Sequence, residues 1–140
     1  MPLKVYRFHD PAWRAQDATV PDEVQQVVAA DFIPPAGLLL VGVDDETPEK
    51  VIATAGFRRA TDLVCDVRNL VVFWGYQSRG IGRLMFDALR AHALHAGYQG
   101  IRAEVADSIP ALITFYEKMG FSRAPPQFQR PGFVRLERPL

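Results

Sequence analysis

The stretch from Asn69 to Arg83, NLVVFWGYQSRGIGR, holds the residues with the clearest chemical potential in the chain. Strand-forming residues give way to an aromatic and a glycine, then Gly80-Ile81-Gly82 lead into an amphipathic pattern. A strand that feeds a helix through such a turn leaves several backbone N–H groups pointing one way, with no partner inside the helix. The helix dipole adds about half a positive charge at that end. Together these make a seat for an anion, most naturally a phosphate. Gly80 and Gly82 matter because a side chain there would hold the phosphate off the backbone or forbid the turn. Two nucleotide motifs of this kind fail. A P-loop needs Lys-Ser/Thr after its glycines, whereas Arg83-Leu84 follow Gly82. The dinucleotide fingerprint needs a third glycine, an acidic residue about 20 positions on, and a place in an initial βαβ unit.

Other reactive residues offer less. Cys65 is the single cysteine; it can form no internal disulfide, no metal-ligand spacing surrounds it, and it reads as a small buried apolar residue. His92 and His95 stand at i and i+3 without a carboxylate or third ligand, so they suit the negative end of a helix better than a metal. His9 follows a strand and carries no further signal. With 140 residues, one domain with a real core is expected. Sixteen basic residues balance 16 acidic ones, which argues against nucleic acid or an anionic membrane as the main partner. No secretory pattern opens the chain and no apolar run nears the roughly 18 residues that span a bilayer, so a cytoplasmic protein is expected.

The elements that must position the anion seat follow from the patterning. Leu3–Phe8 reads as a first strand, and a helix capped by Thr19, with Val24, Val27, Val28 and Phe32 on one face, stops at Pro34-Pro35. Leu38–Val43, Val51–Phe57 and Leu63–Phe73 form an antiparallel meander, with DDETPEK as the first connection. The order then changes to alternating helix and strand. Ile81, Leu84, Met85, Ala88, Leu89 and His92 mark a helix ended by Gly97, and Ile101–Ala106 is a strand that should lie parallel to its neighbour. Asp107 or Ser108 caps a last helix with Leu112, Phe115, Tyr116 and Met119 inward, and Phe133–Glu137 is the final strand. The expected fold class is a single α/β domain on a mixed sheet.

The segment Val72–Gly82 resembles the acyl-CoA-binding motif of the GNAT superfamily of N-acetyltransferases, whose Gln/Arg-x-x-Gly-x-Gly/Ala signature stands here as Gln77-Ser78-Arg79-Gly80-Ile81-Gly82. Ala111–Phe121, ALITFYEKMGF, resembles a second block of the same family at the expected separation. Tryptophan stands at 74 where the family usually has proline, and Ser108 or Ile109 stands near its usual asparagine. The resemblance implies a GNAT-like fold with a splayed parallel strand pair, acetyl-CoA as donor without a metal, and a small-molecule or peptide amine as acceptor attacking directly in a ternary complex. It implies cofactor contacts from Leu70, Val71 and Val72 on the strand, from Gln77, Ser78, Arg79, Gly80, Ile81, Gly82 and Arg83 at the turn, and from Ser108, Phe115 and Tyr116.

Tyr116 would then be the general acid for the departing thiolate; from spacing alone it packs in the core. An ammonium must lose a proton before attack, so a carboxylate, or a water held by one, is expected as base, and Asp66 and Glu104 are the candidates. Which of them faces the slot depends on strand register. The acceptor region of the fold would fall on residues 10–37, 58–64 and 122–132, where charges of both signs mix. Exposed edge strands near the C-terminus would suit a homodimer. The competing expectation is a non-catalytic acyl-CoA-binding regulatory or sensor module of the same fold.

Overall fold

A computed structural model describes residues 3–8 and 36–140. The helix expected from Thr19 therefore lies outside the described residues, as does most of the first acceptor segment. The described strands are β1 (Leu3–Arg7), β2 (Gly37–Asp44), β3 (Thr47–Arg59), β4 (Val64–Val72), β5 (Gly100–Ala106), β6 (Ser122–Arg123) and β7 (Phe133–Pro139). The helices are α1 (Ile81–His95) and α2 (Pro110–Lys118). One seven-stranded sheet has the order β1-β2-β3-β4-β5-β7-β6. The expected meander is β2-β3-β4, antiparallel throughout. The first connection is tighter than its polar composition suggested, because β3 begins at Thr47 and an Asp44 carboxylate oxygen accepts from the Glu46 amide at 3.0 Å. Asx turns of this kind let a hairpin close on very few residues.

Strand β5 runs parallel to β4, as a helical crossover requires. The pairing is short. It covers Val64↔Gly100, Cys65↔Ile101 and Asp66↔Arg102, after which both strands continue without pairing to each other. β4 instead stays on β3, and β5 stays on β7 over its full length.

A bulge in β4 accompanies the divergence. Gly56 pairs with Arg68 and Thr54 with Val71, so Asn69 and Leu70 together face Ala55. Asn69 takes φ 51°, a left-handed conformation that asparagine tolerates better than most side chains. Before the bulge, Cys65 and Val67 face the helices; after it, Leu70 and Val72 do. The extra residue has switched the parity of the strand. Thr54, the one buried polar residue of the described core, donates its hydroxyl to the Asn69 carbonyl at 2.7 Å and so ties the bulge to β3.

Both described helices contribute to one apolar cluster with the same sheet face, built from Cys65, Val67, Ile101, Ala103 and Leu136 below and Met85, Phe86, Leu89, Ile113 and Tyr116 above. The α1 stripe sits slightly off the expected one: Leu84 is 52% exposed, while Phe86 and Ala93 are buried with Ile81, Met85 and Leu89. Steps of four lean the stripe toward Phe86. At its far end, burial and the charges of Arg7 and His95 hold the His92 imidazole below its usual pKa, so it does not serve as a cation there. The α2 helix starts at Ile109 as N-cap with no side-chain bond, so neither Asp107 nor Ser108 caps it. Pro110 in the first turn removes one donor that a cap would have served. At its other end the Arg138 guanidinium of β7 donates to the Met119 carbonyl at 2.6 Å.

Replacing Thr54 by valine removes the donor and leaves the Asn69 carbonyl without it in a part-buried setting. We expect a loss of about 1–2 kcal/mol in the unfolding free energy; an unchanged urea midpoint would show that the bulge does not depend on this bond.

Candidate functional site

Three left-handed residues in sequence shape the connection before α1. Tyr76 N–H donates to the Phe73 carbonyl at 3.1 Å, Gly75 sits at φ 92°, and Ser78 and Gly80 sit at φ 63° and 75°. Gln77 Nε2 donates to the Val72 carbonyl at 3.2 Å, pinning the turn to the end of β4. Gly80 is the N-cap of α1 and makes no side-chain cap; no acidic residue stands in the first turn. Leu84 N–H closes the first turn on the Gly80 carbonyl at 3.2 Å. The amides of Ile81, Gly82 and Arg83 therefore precede the first intrahelical bond and have no side-chain cap to meet.

The two glycines do different work. A Cβ on Gly80 would meet nothing within 4 Å, so its need is the positive φ alone. A Cβ on Gly82 would lie 3.2 Å from Phe115 Cζ and 3.7 Å from Val72 Cγ2. The absence of a side chain at Gly82 lets the start of α1 approach α2 and β4 closely, and Gly82 also lines a groove there.

A groove of about 710 Å³ opens between the end of β4, the start of α1 and the start of α2. Leu70, Val72, Ile81, Leu112 and Phe115 give it apolar walls, and Gln77, Ser78, Gly80, Gly82 and Arg83 line it at the seat. Its volume lies in the range of ligand sites. Tyr76, Ile109, Ala111 and Leu112 also line it, and the sequence had not marked them as site residues. Helical spacing carried the signal for two of them, since Leu112 and Ala111 lie three and four residues before Phe115. Lys50 Nζ and the Arg79 guanidinium stand 5.0 and 5.5 Å from the centre of the Tyr76 ring.

Four expected contacts do not line this groove. Val71 lies on the other side of the bulged strand and is 45% exposed, Ser108 sits in an exposed turn, Arg79 rests by Tyr76, and Tyr116 is only 5% exposed in the core. The Tyr116 ring meets Phe121 at 5.1 Å and Phe115 at 5.5 Å, both edge-on. Burial pushes its phenol up to about 12. Burial, with the Asp66 charge adding to it, likewise pushes the Cys65 thiol up to about 12, which leaves no thiolate near neutral pH.

The edge of β4 beyond the last β4–β5 pair has a free side. Phe73 N–H donates to the Ile52 carbonyl of β3 at 2.9 Å. Amides alternate along a strand, so the Val72 N–H points the other way, toward the gap left by β5.

Both candidate carboxylates lie on the opposite sheet face. Asp66 receives two bonds from Arg102, one from Nε to Oδ1 and one from Nη2 to Oδ2 at 3.1 Å. Glu104 accepts from Arg130 Nε at 2.9 Å, and Arg135 Nη2 lies 3.6 Å from its second oxygen. They line a second, smaller hollow there. Among the described residues, no group of three or more His, Cys, Asp or Glu could hold a metal ion, and no helix is long and apolar enough to cross a membrane.

A short parallel pair thus splays beside an uncapped helix start, and an apolar groove runs from the end of β4 past that start to α2. The profile of the Acetyltransferase (GNAT) family matches residues 3–121, and the chain belongs to that family. No curated protein matches it. Among solved structures, an acetyltransferase of the GNAT family from Staphylococcus aureus Mu50 is similar at 13% identity and TM-score 0.75, covering 99% of each chain. A GNAT family acetyltransferase from Elizabethkingia anophelis with acetyl-CoA bound is similar at 15% identity and TM-score 0.71, covering 99% of this chain and 98% of that one. A Bacillus subtilis acetyltransferase in complex with CoA is similar at 15% identity and TM-score 0.72, covering 99% of each. Likenesses this distant carry the fold, and the expected GNAT-like mixed sheet is the fold observed.

Gly80→Val would force a β-branched residue to φ 75° at a cost of about 1–2 kcal/mol. The domain should remain folded by circular dichroism while coenzyme A affinity by calorimetry falls at least about tenfold, the worth of one charge-assisted bond; retained affinity would place the anion elsewhere.

Proposed function

We propose that this chain is an N-acetyltransferase that takes the acetyl group of acetyl-CoA and delivers it to a primary amine by direct attack within a ternary complex. The observation that carries this reading is the groove itself: free amides at the start of α1 lie at one end of an apolar slot beside the unpaired edge of β4. Such a slot fits a diphosphate joined to a long, largely apolar arm. The Ile81, Gly82 and Arg83 amides would hold the diphosphate, with the Arg83 guanidinium as a charged partner, and Leu70, Val72 and Phe115 would flank the arm. When bound, acetyl-CoA supplies a thioester whose acetyl carbon gains the C–N bond as the C–S bond breaks, releasing a thiol.

The chain's own residues supply the rest. The Val72 N–H, aimed into the gap, polarises a carbonyl placed there, a one-donor oxyanion site. Tyr116 carries its proton at neutral pH, as any phenol does, and on this reading gives it to the leaving thiolate; burial, which pushes the phenol up to about 12, keeps that proton in place beforehand. Glu104 stands on β5 past its last pair with β4, and it, or a water it holds, takes the proton from the incoming ammonium; Asp66, gripped at both oxygens, serves the sheet face. A non-catalytic acyl-CoA sensor of the same fold is the second reading. What favours it is that both carboxylates are engaged by arginines.

Thiol release from acetyl-CoA across a panel of primary amines tests the proposal. Coenzyme A binding without release from any amine would favour the sensor. Tyr116→Phe should lower kcat by about 10²–10⁴-fold and leave coenzyme A affinity within about twofold, since no described residue bonds the hydroxyl; equal losses in both would assign Tyr116 to packing.

A further inference from the structure

We propose that the hollow on the sheet face opposite α1 and α2 receives the acceptor by an acidic group, so that the preferred substrates are small amines whose far end carries a carboxylate or phosphate. The proposal rests on the transferase reading above and names the substrate class for it. The hollow, about 290 Å³, is framed by Asp66 and Arg68 of β4, Arg102 and Glu104 of β5, Arg135 of β7 and Arg130 just before it. β4 and β5 separate just past Asp66 and Arg102, so the hollow lies where the gap opens, and farther along, the β4 edge of that gap carries Leu70 and Val72 of the acyl groove. On this proposal an acceptor seated in the hollow directs its amine along that gap while the donor lies on the helix face.

Four guanidinium groups line it with two carboxylates, and Glu137, paired with Arg102 across β5 and β7, adds a third negative charge beside them, so positive charge stays in excess. Asp66 satisfies Arg102, and Glu104 is shared by Arg130 and Arg135. Arg68 has no ion-pair partner among the described residues. Arg130 is also stacked 3.8 Å from the centre of the Phe133 ring, which fixes the plane of its fork. Fixed forks with spare charge bind planar or tetrahedral oxyanions well, and they repel a second ammonium. The volume sits at the lower edge of ligand pockets, which suits a compact acceptor rather than a peptide.

Calorimetric titration of the protein–coenzyme A complex tests this without turnover, using an aminoalkyl carboxylate, an aminoalkyl phosphate, the matching neutral amide and a diamine. Either acid should bind at least about tenfold more tightly than the amide, the diamine should bind most weakly, and the carboxylate and phosphate arms tell which oxyanion is preferred. Arg68→Gln, with Arg130→Gln as a second variant, should erase that preference and leave amide binding unchanged. Amide or diamine binding as tight as the acids, or an equal loss for all ligands in the variants, overturns the proposal. Tight binding of the acids without thiol release from acetyl-CoA would leave the acidic site standing and reject the transferase reading instead.

Discussion

Everything at this site depends on two strands that part after three paired residues. A strand edge in the interior of a sheet exposes N–H and C=O groups that must find partners. β4 meets that demand on one side only, through β3, and the Thr54–Asn69 bond holds it there. β5 meets it through β7 along its whole length. The gap between them is kept by the pairing on either side, and the Val72 N–H that faces it has no partner strand there.

The bulge decides which side chains see that gap. With regular alternation, Asn69 and Val71 would continue the face begun by Cys65 and Val67. The left-handed Asn69 brings Leu70 and Val72 there instead, and it sends Val71 outward. The same shift sets the Val72 amide beside the groove and its carbonyl within reach of Gln77. After the strand comes Trp74, and the exit is shaped by Gly75, the Tyr76–Phe73 bond and the Gln77 amide. Hydrogen bonds, rather than a ring that fixes φ, close this turn.

Local rules made the anion seat, the meander and both helices legible, because turn glycines and apolar spacing act over a few residues. The features they missed all arise from contacts between distant segments. Nothing near Asn69 announces a bulge; it appears only against Gly56 and Thr54. Asp66 reads as a spare carboxylate until the parallel register sets Arg102 opposite it. Gly82 reads as a turn glycine, and its packing against Phe115, thirty-three positions on, shows only in the fold. Tyr76 stands beside a recognised glutamine, and only the fold brings Lys50 of β3 over its ring and sets it in the groove wall.

One sheet thus carries two chemistries on its two faces. The helix-side face is apolar apart from the helix start, which suits a long arm ending in phosphates. The other face of β4, β5 and β7 is a lattice of arginines and carboxylates. Like charges placed together repel unless something answers them. In this hollow the in-built carboxylates answer only part of the positive charge, and on the proposed reading that imbalance would bear on an amine acceptor. Surrounding guanidinium groups would disfavour its ammonium form, so the same arginines that would hold an acidic tail would also ease release of the proton that must leave before nitrogen can attack. Recognition and activation would then come from one set of charges, beside the gap where β4 and β5 part.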